Sequence, residues 1–153
     1  MTHPPLPVLP ADRPKGWHGR LYAWALSIAA TPHEYGQHDC ALYVAGGLDA
    51  MYGTDIAGRF RGRYTTYRGG LRALRREGFR DHLDLLSHFA RPVDPALAQI
   101  GDIAVVDTPD HPAIGFVMGG DLQMLTLDGL ISTPTLIETT GGIMRAAREV
   151  WRT

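Results

Sequence analysis

The sequence predicts an α+β fold in which helices come first along the chain and an antiparallel sheet follows. In the first half, apolar residues recur at helical spacing over residues 15–30 and 41–52, which is the period of an amphipathic helix. Beyond residue 95, short β-rich runs are separated by turns that contain glycine, a pattern typical of hairpin-connected strands. Because helical and strand patterns occupy separate parts of the chain, together they indicate an α+β arrangement.

The length of the chain indicates one domain. At 153 residues it is long enough to bury a hydrophobic core of its own. Residues 1–14 hold five prolines, which predicts an extended proline-rich arm. We therefore expect an arm over residues 1–14 and a single domain over residues 15–153.

The second predicted helix has the clearest boundaries. Asp39 is suited to cap its N-terminus, and Gly53 follows its last apolar position, as expected of a C-terminal glycine. Gly46 and Gly47 inside the helix lower its stability, so we expect another backbone to pack very close to them. Cys40, the single cysteine of the chain, then lies at the N-terminus of this helix.

The middle of the chain is less regular. Residues 54–70 are rich in arginine and predict an irregular segment in which Tyr64 and Tyr67 act as anchors. The leucines of residues 71–78 and 83–89 indicate two short helices.

The sheet is predicted from four short runs and one turn. Asp128-Gly129 is a strong hairpin signal between two of the runs. We expect a short helix or turn that carries Trp151 to close the chain. The expected strands are residues 103–106, 114–118, 122–127 and 130–132.

Composition and charge exclude several classes of protein. No apolar stretch is long enough for a membrane helix, and the N-terminus lacks the features of a signal peptide. A single cysteine cannot form an internal disulfide, so we expect synthesis in a cytoplasm. The net charge of −1, without zinc-ligand spacing or a helix-turn-helix pattern, argues against nucleic-acid binding.

The arginines are concentrated in one segment. Residues 59–80 hold eight arginines and one acid, Glu77, so this segment carries +7 and the rest of the chain −8. Two interpretations stay open: a solvated face, or a docking surface for an acidic partner, for which arginine is well suited.

Cys40 is the candidate nucleophile. A thiol at a helix N-terminus lies beside unpaired N–H groups and the positive end of the helix dipole, which favour a thiolate. A free cysteine is equally often a small buried apolar residue. Catalysis would also need a base that shares the thiol proton and a third group that orients the base.

Three segments resemble segments of a known family. Asp39-Cys40-Ala41-Leu42-Tyr43-Val44 is similar to the Asp-Cys-Ser-Gly-Leu-Val segment that carries the nucleophile of the NlpC/P60 cysteine peptidases. Gly101-Asp102-Ile103-Ala104-Val105-Val106 is similar to their Gly-Asp-Leu-Val-Phe-Phe strand, and Ile114-Gly115-Phe116-Val117-Met118-Gly119 to their histidine strand. The resemblance implies a papain-like fold in which N-terminal helices, one headed by the cysteine, pack on a C-terminal antiparallel sheet.

The resemblance is closer to a branch found in phage and prophage tail gene clusters. That branch repeats the pattern Tyr-Gly-x-x-Asp-Cys, here residues 35–40, and a late tryptophan, here Trp151. Its middle corresponds to Gly53-Thr54-Asp55 and Arg61-Gly62-Arg63-Tyr64. The similarity extends over roughly residues 17 to 151.

One departure from the family affects the predicted chemistry. Ala113 stands where active NlpC/P60 peptidases have their histidine. His111 and His38 are the alternative candidate bases, His111 two residues upstream of that position and His38 two residues before Cys40. Asp39 is expected to cap the helix rather than to act as a catalytic acid.

Two functions follow from the resemblance as expectations. The first is a phage or gene-transfer-agent tail-tip protein, a degenerate peptidase made in the host cytoplasm and then carried in the virion, with tail hub or baseplate proteins as partners. The alternative is an active peptidoglycan endopeptidase in which Cys40 attacks and His111 or His38 acts as base. A third possibility is a module that binds peptidoglycan without cutting it. We expect no cofactor, no metal, no nucleic acid and no membrane insertion.

Overall fold

A computed structural model describes residues 5–140 and 142–153, with the backbone alone for residues 137–139 and 142–144. The fold is α+β, as the sequence predicts. Helices occupy the first part of the described chain: α1 (Trp17–Ile28), α2 (Cys40–Tyr52), α3 (Ala57–Phe60), α4 (Tyr67–Arg76) and α5 (His82–Phe89). A short 3-10 turn, Pro95–Leu97, follows among the strands.

The strands form an antiparallel six-stranded sheet and a separate hairpin. They are β1 (Arg91–Val93), β2 (Ile103–Val106), β3 (Ala113–Met118), β4 (Asp121–Thr126), β5 (Gly129–Pro134), β6 (Leu136–Thr139), β7 (Gly142–Arg145) and β8 (Glu149–Arg152). The order in the large sheet is β1-β8-β2-β3-β4-β5, and β6 pairs with β7. The predicted hairpin at Asp128-Gly129 is confirmed, since it joins β4 to β5.

Helix α2 is the centre of the core. It packs on the sheet, where the ring of Tyr43 meets that of Phe116 edge-on at 5.6 Å between centroids. Its predicted boundaries are confirmed: the Asp39 side chain accepts a hydrogen bond from the Leu42 N–H at the N-terminus, and Gly53 ends the helix in the left-handed conformation. The first residue of α2, Cys40, is thereby fixed against the sheet.

The glycine pair in α2 accommodates aromatic rings rather than another backbone, so that part of the prediction is wrong. A Cβ on Gly46 would lie 2.3 Å from the indole of Trp24, and one on Gly47 would lie 2.3 Å from the ring of Phe116. Trp24 comes from α1 and Phe116 from β3. Helix α2 therefore packs closely on both neighbours because these two positions have no side chain.

The end of the chain corrects a second prediction. Trp151 lies in β8, not in a short helix or turn, and β8 is inserted between β1 and β2, with Trp151 opposite Pro92 and Ile103. The partners of β8 come from residues more than 40 positions away, so local sequence carries little information about this strand.

The arginine-rich middle is more regular than predicted. Within residues 54–70, α3 forms one helical turn, and α4 begins at Tyr67, where the Thr66 hydroxyl accepts a hydrogen bond from the Gly69 N–H. Helix α4 buries Ala73 and Leu74 and exposes most of its arginines. The predicted short helix near residues 71–78 therefore exists but starts earlier.

A buried ion cluster, here called the Asp102 clasp, joins both ends of the domain. Asp102 is fully buried, and its carboxylate accepts hydrogen bonds from Arg13, from Arg152 and from the Gln99 N–H. The guanidinium of Arg13 also lies 4.5 Å above the ring of Trp17. The end of the proline-rich segment is thus attached to the sheet.

No helix in the described part of the chain combines the length and the hydropathy needed to cross a membrane.

Candidate functional site

The main candidate site is a cavity of about 330 Å³ beside the N-terminus of α2, here called the Cys40 cavity. It lies where α2, α4 and α5 meet the loop before β3 and the hairpin between β4 and β5. Most of its wall is apolar. The apolar lining residues are Ala41, Leu42, Ala45, Phe60, Leu71, Leu74, Leu85, Ala113, Leu125 and Leu127.

Cys40 is one of the residues that line this cavity. The residue is only partly buried as a whole, but protein surrounds the sulfur, and this burial raises the pKa of the Cys40 thiol to about 11. The nearby Asp39 charge raises it further, while the N–H groups of Ile114 and Ala41 oppose the shift. Desolvation therefore outweighs the helix N-terminus, and the thiol is protonated at neutral pH.

Asp39 is held by neutral donors. One carboxylate oxygen accepts the N–H of Leu42, and the other accepts the N–H of Gly36 and the hydroxyl of Tyr64. These bonds confirm the prediction that Asp39 caps α2. They leave its negative charge beside Cys40 without a cationic partner among the described residues.

Gly36 explains why two short segments of the sequence belong together. It has φ +82, and a Cβ there would lie 1.7 Å from the carbonyl oxygen of Tyr64. The Gly62 N–H donates to the Gly36 carbonyl at 2.7 Å. Residues 35–40 and 61–64 thus fold as one unit around Asp39, and only glycine fits at their closest approach.

Ala113 lies on the wall of the same cavity as Cys40. It is the first residue of β3, and the N–H of the next residue, Ile114, acts on the Cys40 sulfur. Position 113 and Cys40 therefore line the same cavity. The methyl group of Ala113 can neither take nor orient a proton.

His111 reaches the cavity but is engaged elsewhere. Its ring stacks on Tyr67 with centroids 4.2 Å apart and planes 6° from parallel. Its Nδ1 lies 3.1 Å from the carbonyl oxygen of Pro112. Among the described contacts, no hydrogen bond joins His111 to Cys40. Because Ala113 begins β3, His111 precedes the strand, and Pro112 stands between them.

His38 is not part of the site. It is only 6 % exposed, and its Nε2 has no hydrogen-bond partner in the described structure. Burial lowers the pKa of His38, so its ring is neutral at pH 7. It is absent from the described residues that line the Cys40 cavity. The described contacts thus include no hydrogen bond between this predicted base and Cys40.

His82 is a cavity residue that sequence reasoning missed. It begins α5, is 6 % exposed, and places Nε2 at 2.7 Å from the carbonyl oxygen of Pro112. Since a carbonyl only accepts, Nε2 carries the proton. Burial lowers the pKa of His82, which keeps the ring neutral. The only local sign is Asp81, which caps α5; nothing near it indicates that this helix reaches a cavity.

The charges that line the cavity have one sign. Asp110 and Asp128 are exposed at its rim and Asp39 lies inside, while no lysine or arginine is among the described lining residues. No cluster of three or more metal-ligating side chains occurs in the described part of the chain. The described lining thus offers Cys40, the rings of tyrosines and histidines, and carboxylates.

Comparison with known proteins identifies the family of the chain, and the description of that family gives no function. A family model described as a domain of unknown function, DUF6950, matches residues 12–152. The sequence matches none of the curated proteins with which it was compared. Because the model covers nearly the whole chain, this protein belongs to the DUF6950 family.

Proposed function

We propose that this protein is a papain-like domain of the NlpC/P60 kind that has lost peptidase activity and serves as a structural component of a phage or gene-transfer-agent tail tip. The observation that carries the loss of activity is Ala113 on the cavity wall beside Cys40. The phage setting rests on the resemblance of residues 35–40 and 61–64 to proteins of tail gene clusters.

The state of the thiol supports an inactive site. With a pKa of about 11, Cys40 is a thiolate in roughly one molecule in ten thousand at pH 7. A nearby base could compensate, but His38 is not among the described lining residues and His111 is stacked on Tyr67. Removing one member of a coupled catalytic unit typically lowers the rate by several orders of magnitude.

A row of arginines on α4 supports docking on an acidic partner. Arg68, Arg72 and Arg75 are spaced to lie along one side of the helix, and all three are exposed. No described ion pair engages them, and α4 contains no acidic residue. The expected partners are acidic surfaces of tail hub or baseplate proteins.

One observation favours the alternative, an active peptidoglycan endopeptidase. His111 lines the same cavity as Cys40, and its Nδ1 is oriented toward the carbonyl oxygen of Pro112. If Nδ1 donates there, Nε2 is the nitrogen that could accept a proton. Movement of His111 off Tyr67 would then bring a base toward the thiol. The resemblance implies a bond beside D-glutamate and diaminopimelate as the target.

Digestion of purified peptidoglycan separates the two functions. We expect negligible muropeptide release by the wild type, equal to that of Cys40→Ala. Ala113→His should raise alkylation of Cys40 by iodoacetamide at pH 7, because it adds an imidazole on the cavity wall; Ala113→Asn is the control without a base. Release by the wild type that is lost in both Cys40→Ala and His111→Ala would overturn the proposal.

Charge reversal tests the docking surface. Arg72→Glu with Arg75→Glu should reduce incorporation into particles at least about tenfold, since each reversal replaces attraction by repulsion. Lys15→Glu with Arg91→Glu changes the net charge equally on exposed positions away from α4. Equal incorporation of the two double variants would show that the α4 row is not the docking surface.

A further inference from the structure

We infer that the Cys40 cavity binds a ligand with an apolar body and a positively charged amine. This rests on the proposed function, because it treats the cavity as a binding site in which no bond is cut. The inference specifies the ligand class from the volume, the charges and the aromatic rings of the cavity.

The volume and the apolar lining of the Cys40 cavity determine what kind of uncharged group fits inside it. A volume of about 330 Å³ is at the lower end of the range for small-molecule sites. Leucine side chains of α4, α5 and β4 form much of the wall, including Leu71, Leu85 and Leu125. Such a wall stabilises an alkyl or aryl group by removing it from water.

The charges select a cation. Asp110 and Asp128 are exposed at the rim, and Asp39 lies inside, bonded to neutral donors. No lysine or arginine among the described lining residues balances them. A cleft lined by one sign of charge with apolar walls concentrates ions of the opposite sign. None of the arginines of the +7 segment is among the described lining residues.

The α2 N-terminus does not reverse this preference. A free helix N-terminus attracts anions through its unpaired N–H groups. Here the Asp39 carboxylate accepts the Leu42 N–H, and its own charge occupies that position. An anionic ligand would therefore meet the carboxylate rather than free donors.

Aromatic rings provide further contacts for an ammonium group. Tyr35 and Tyr67 line the cavity with centroids 6.5 Å apart, and His111 stacks on Tyr67. Asp110 lines the cavity and directly precedes His111 in the chain, so a carboxylate and ring faces lie on the same side of the cavity. Ring faces attract ammonium groups, which places the charged end of the ligand at this side of the rim.

Titration with three matched probes tests the inference. We expect n-hexylamine to bind, measured by calorimetry at pH 7 and low salt, and hexanoate and hexanol to bind at least about tenfold more weakly. Asp110→Asn with Asp128→Asn should weaken hexylamine binding about tenfold. Asp12→Asn with Asp121→Asn, both exposed and outside the described lining, is the control of equal charge.

The outcomes are separable. Equal binding of hexanol or hexanoate, an equal effect of the two double variants, or no binding of hexylamine would each overturn the inference. All four substitutions are on the surface, so circular dichroism should show unchanged folds. Muropeptide release is measured in a separate experiment. If the wild type releases muropeptides, the proposed function fails, but the titration with hexylamine still tests the binding of an amine.

Discussion

Asp39 and Asp102 are both buried aspartates, one directly before α2 and the other directly before β2, yet the structure uses them differently. Asp102 is fully buried and meets two guanidinium groups, those of Arg13 and Arg152. Asp39 is 4 % exposed and meets only neutral donors, including the Tyr64 hydroxyl. The charge of Asp102 is neutralised by its two arginine partners, whereas the charge of Asp39 acts on nearby groups.

The difference distinguishes the Asp102 clasp, which stabilises the structure, from the surroundings of Asp39, which affect the chemistry of Cys40. At the Asp102 clasp, the ion pairs connect Arg13, before α1, and Arg152, in β8, to the residue directly before β2. At Asp39, the uncompensated charge helps to raise the pKa of the Cys40 thiol and faces a cavity without basic side chains in its described lining. The role of a buried carboxylate therefore depends on the groups that contact it and not on the sequence motif in which it occurs.

The largest expected effect comes from breaking the clasp. Asp102→Ala leaves Arg13 and Arg152 without their carboxylate, and we expect the free energy of unfolding to fall by about 3 kcal/mol, since both arginines reach water in part. Urea denaturation measures this. Asp121→Ala, on an exposed position, is the control and should change stability by less than about 0.5 kcal/mol. If Asp102→Ala lowers the free energy of unfolding no more than Asp121→Ala does, the stabilising role of the Asp102 clasp is contradicted.

Neutralising Asp39 should have a smaller effect on stability and a specific effect on the thiol. Asp39→Asn keeps an acceptor for the Leu42 N–H but places an amide against the donors of Gly36 or Tyr64, so we expect a loss of about 2 kcal/mol. Because the Asp39 charge raises the pKa of Cys40, the variant should lower it below the wild-type value of about 11.

The rate of alkylation by iodoacetamide against pH measures that shift. For the wild type, the rate should rise about tenfold per pH unit between pH 8 and 10. For Asp39→Asn, the midpoint of the alkylation rate against pH should move to lower pH. Asp102→Asn, in the Asp102 clasp, should leave this midpoint unchanged. An unchanged midpoint in Asp39→Asn would show that its charge does not act on the thiol.

The smallest expected effect is a pH dependence of stability to which His82 contributes. Burial lowers the pKa of His82 in the folded state, so its stabilising contribution is present above about pH 6.5, the unfolded value, and is lost as pH falls through the folded value. The free energy of unfolding should therefore decrease as pH falls below about 6.5. His82→Gln should reduce this slope, whereas His18→Gln, an exposed control, should not.

The sequence predicted the order of elements better than the site. The α2 boundaries, the Asp39 cap and the β4–β5 hairpin depend on neighbouring residues, and all three are confirmed. The strand around Trp151 and the glycine contacts with Trp24 and Phe116 depend on distant residues, and there the predictions were wrong. Periodicity indicates which face is buried but not which side chain covers it.

Sequence alone determined that a single cysteine heads a capped helix and that position 113 holds no imidazole. Both are facts of identity and local spacing, which do not require the fold. Only the tertiary structure decided that Ala113 and Cys40 share a cavity, that His82 lines it, and that protein surrounds the thiol. Burial and electrostatics arise from segments distant in the chain, and these, rather than the motif, determine the protonation state of Cys40.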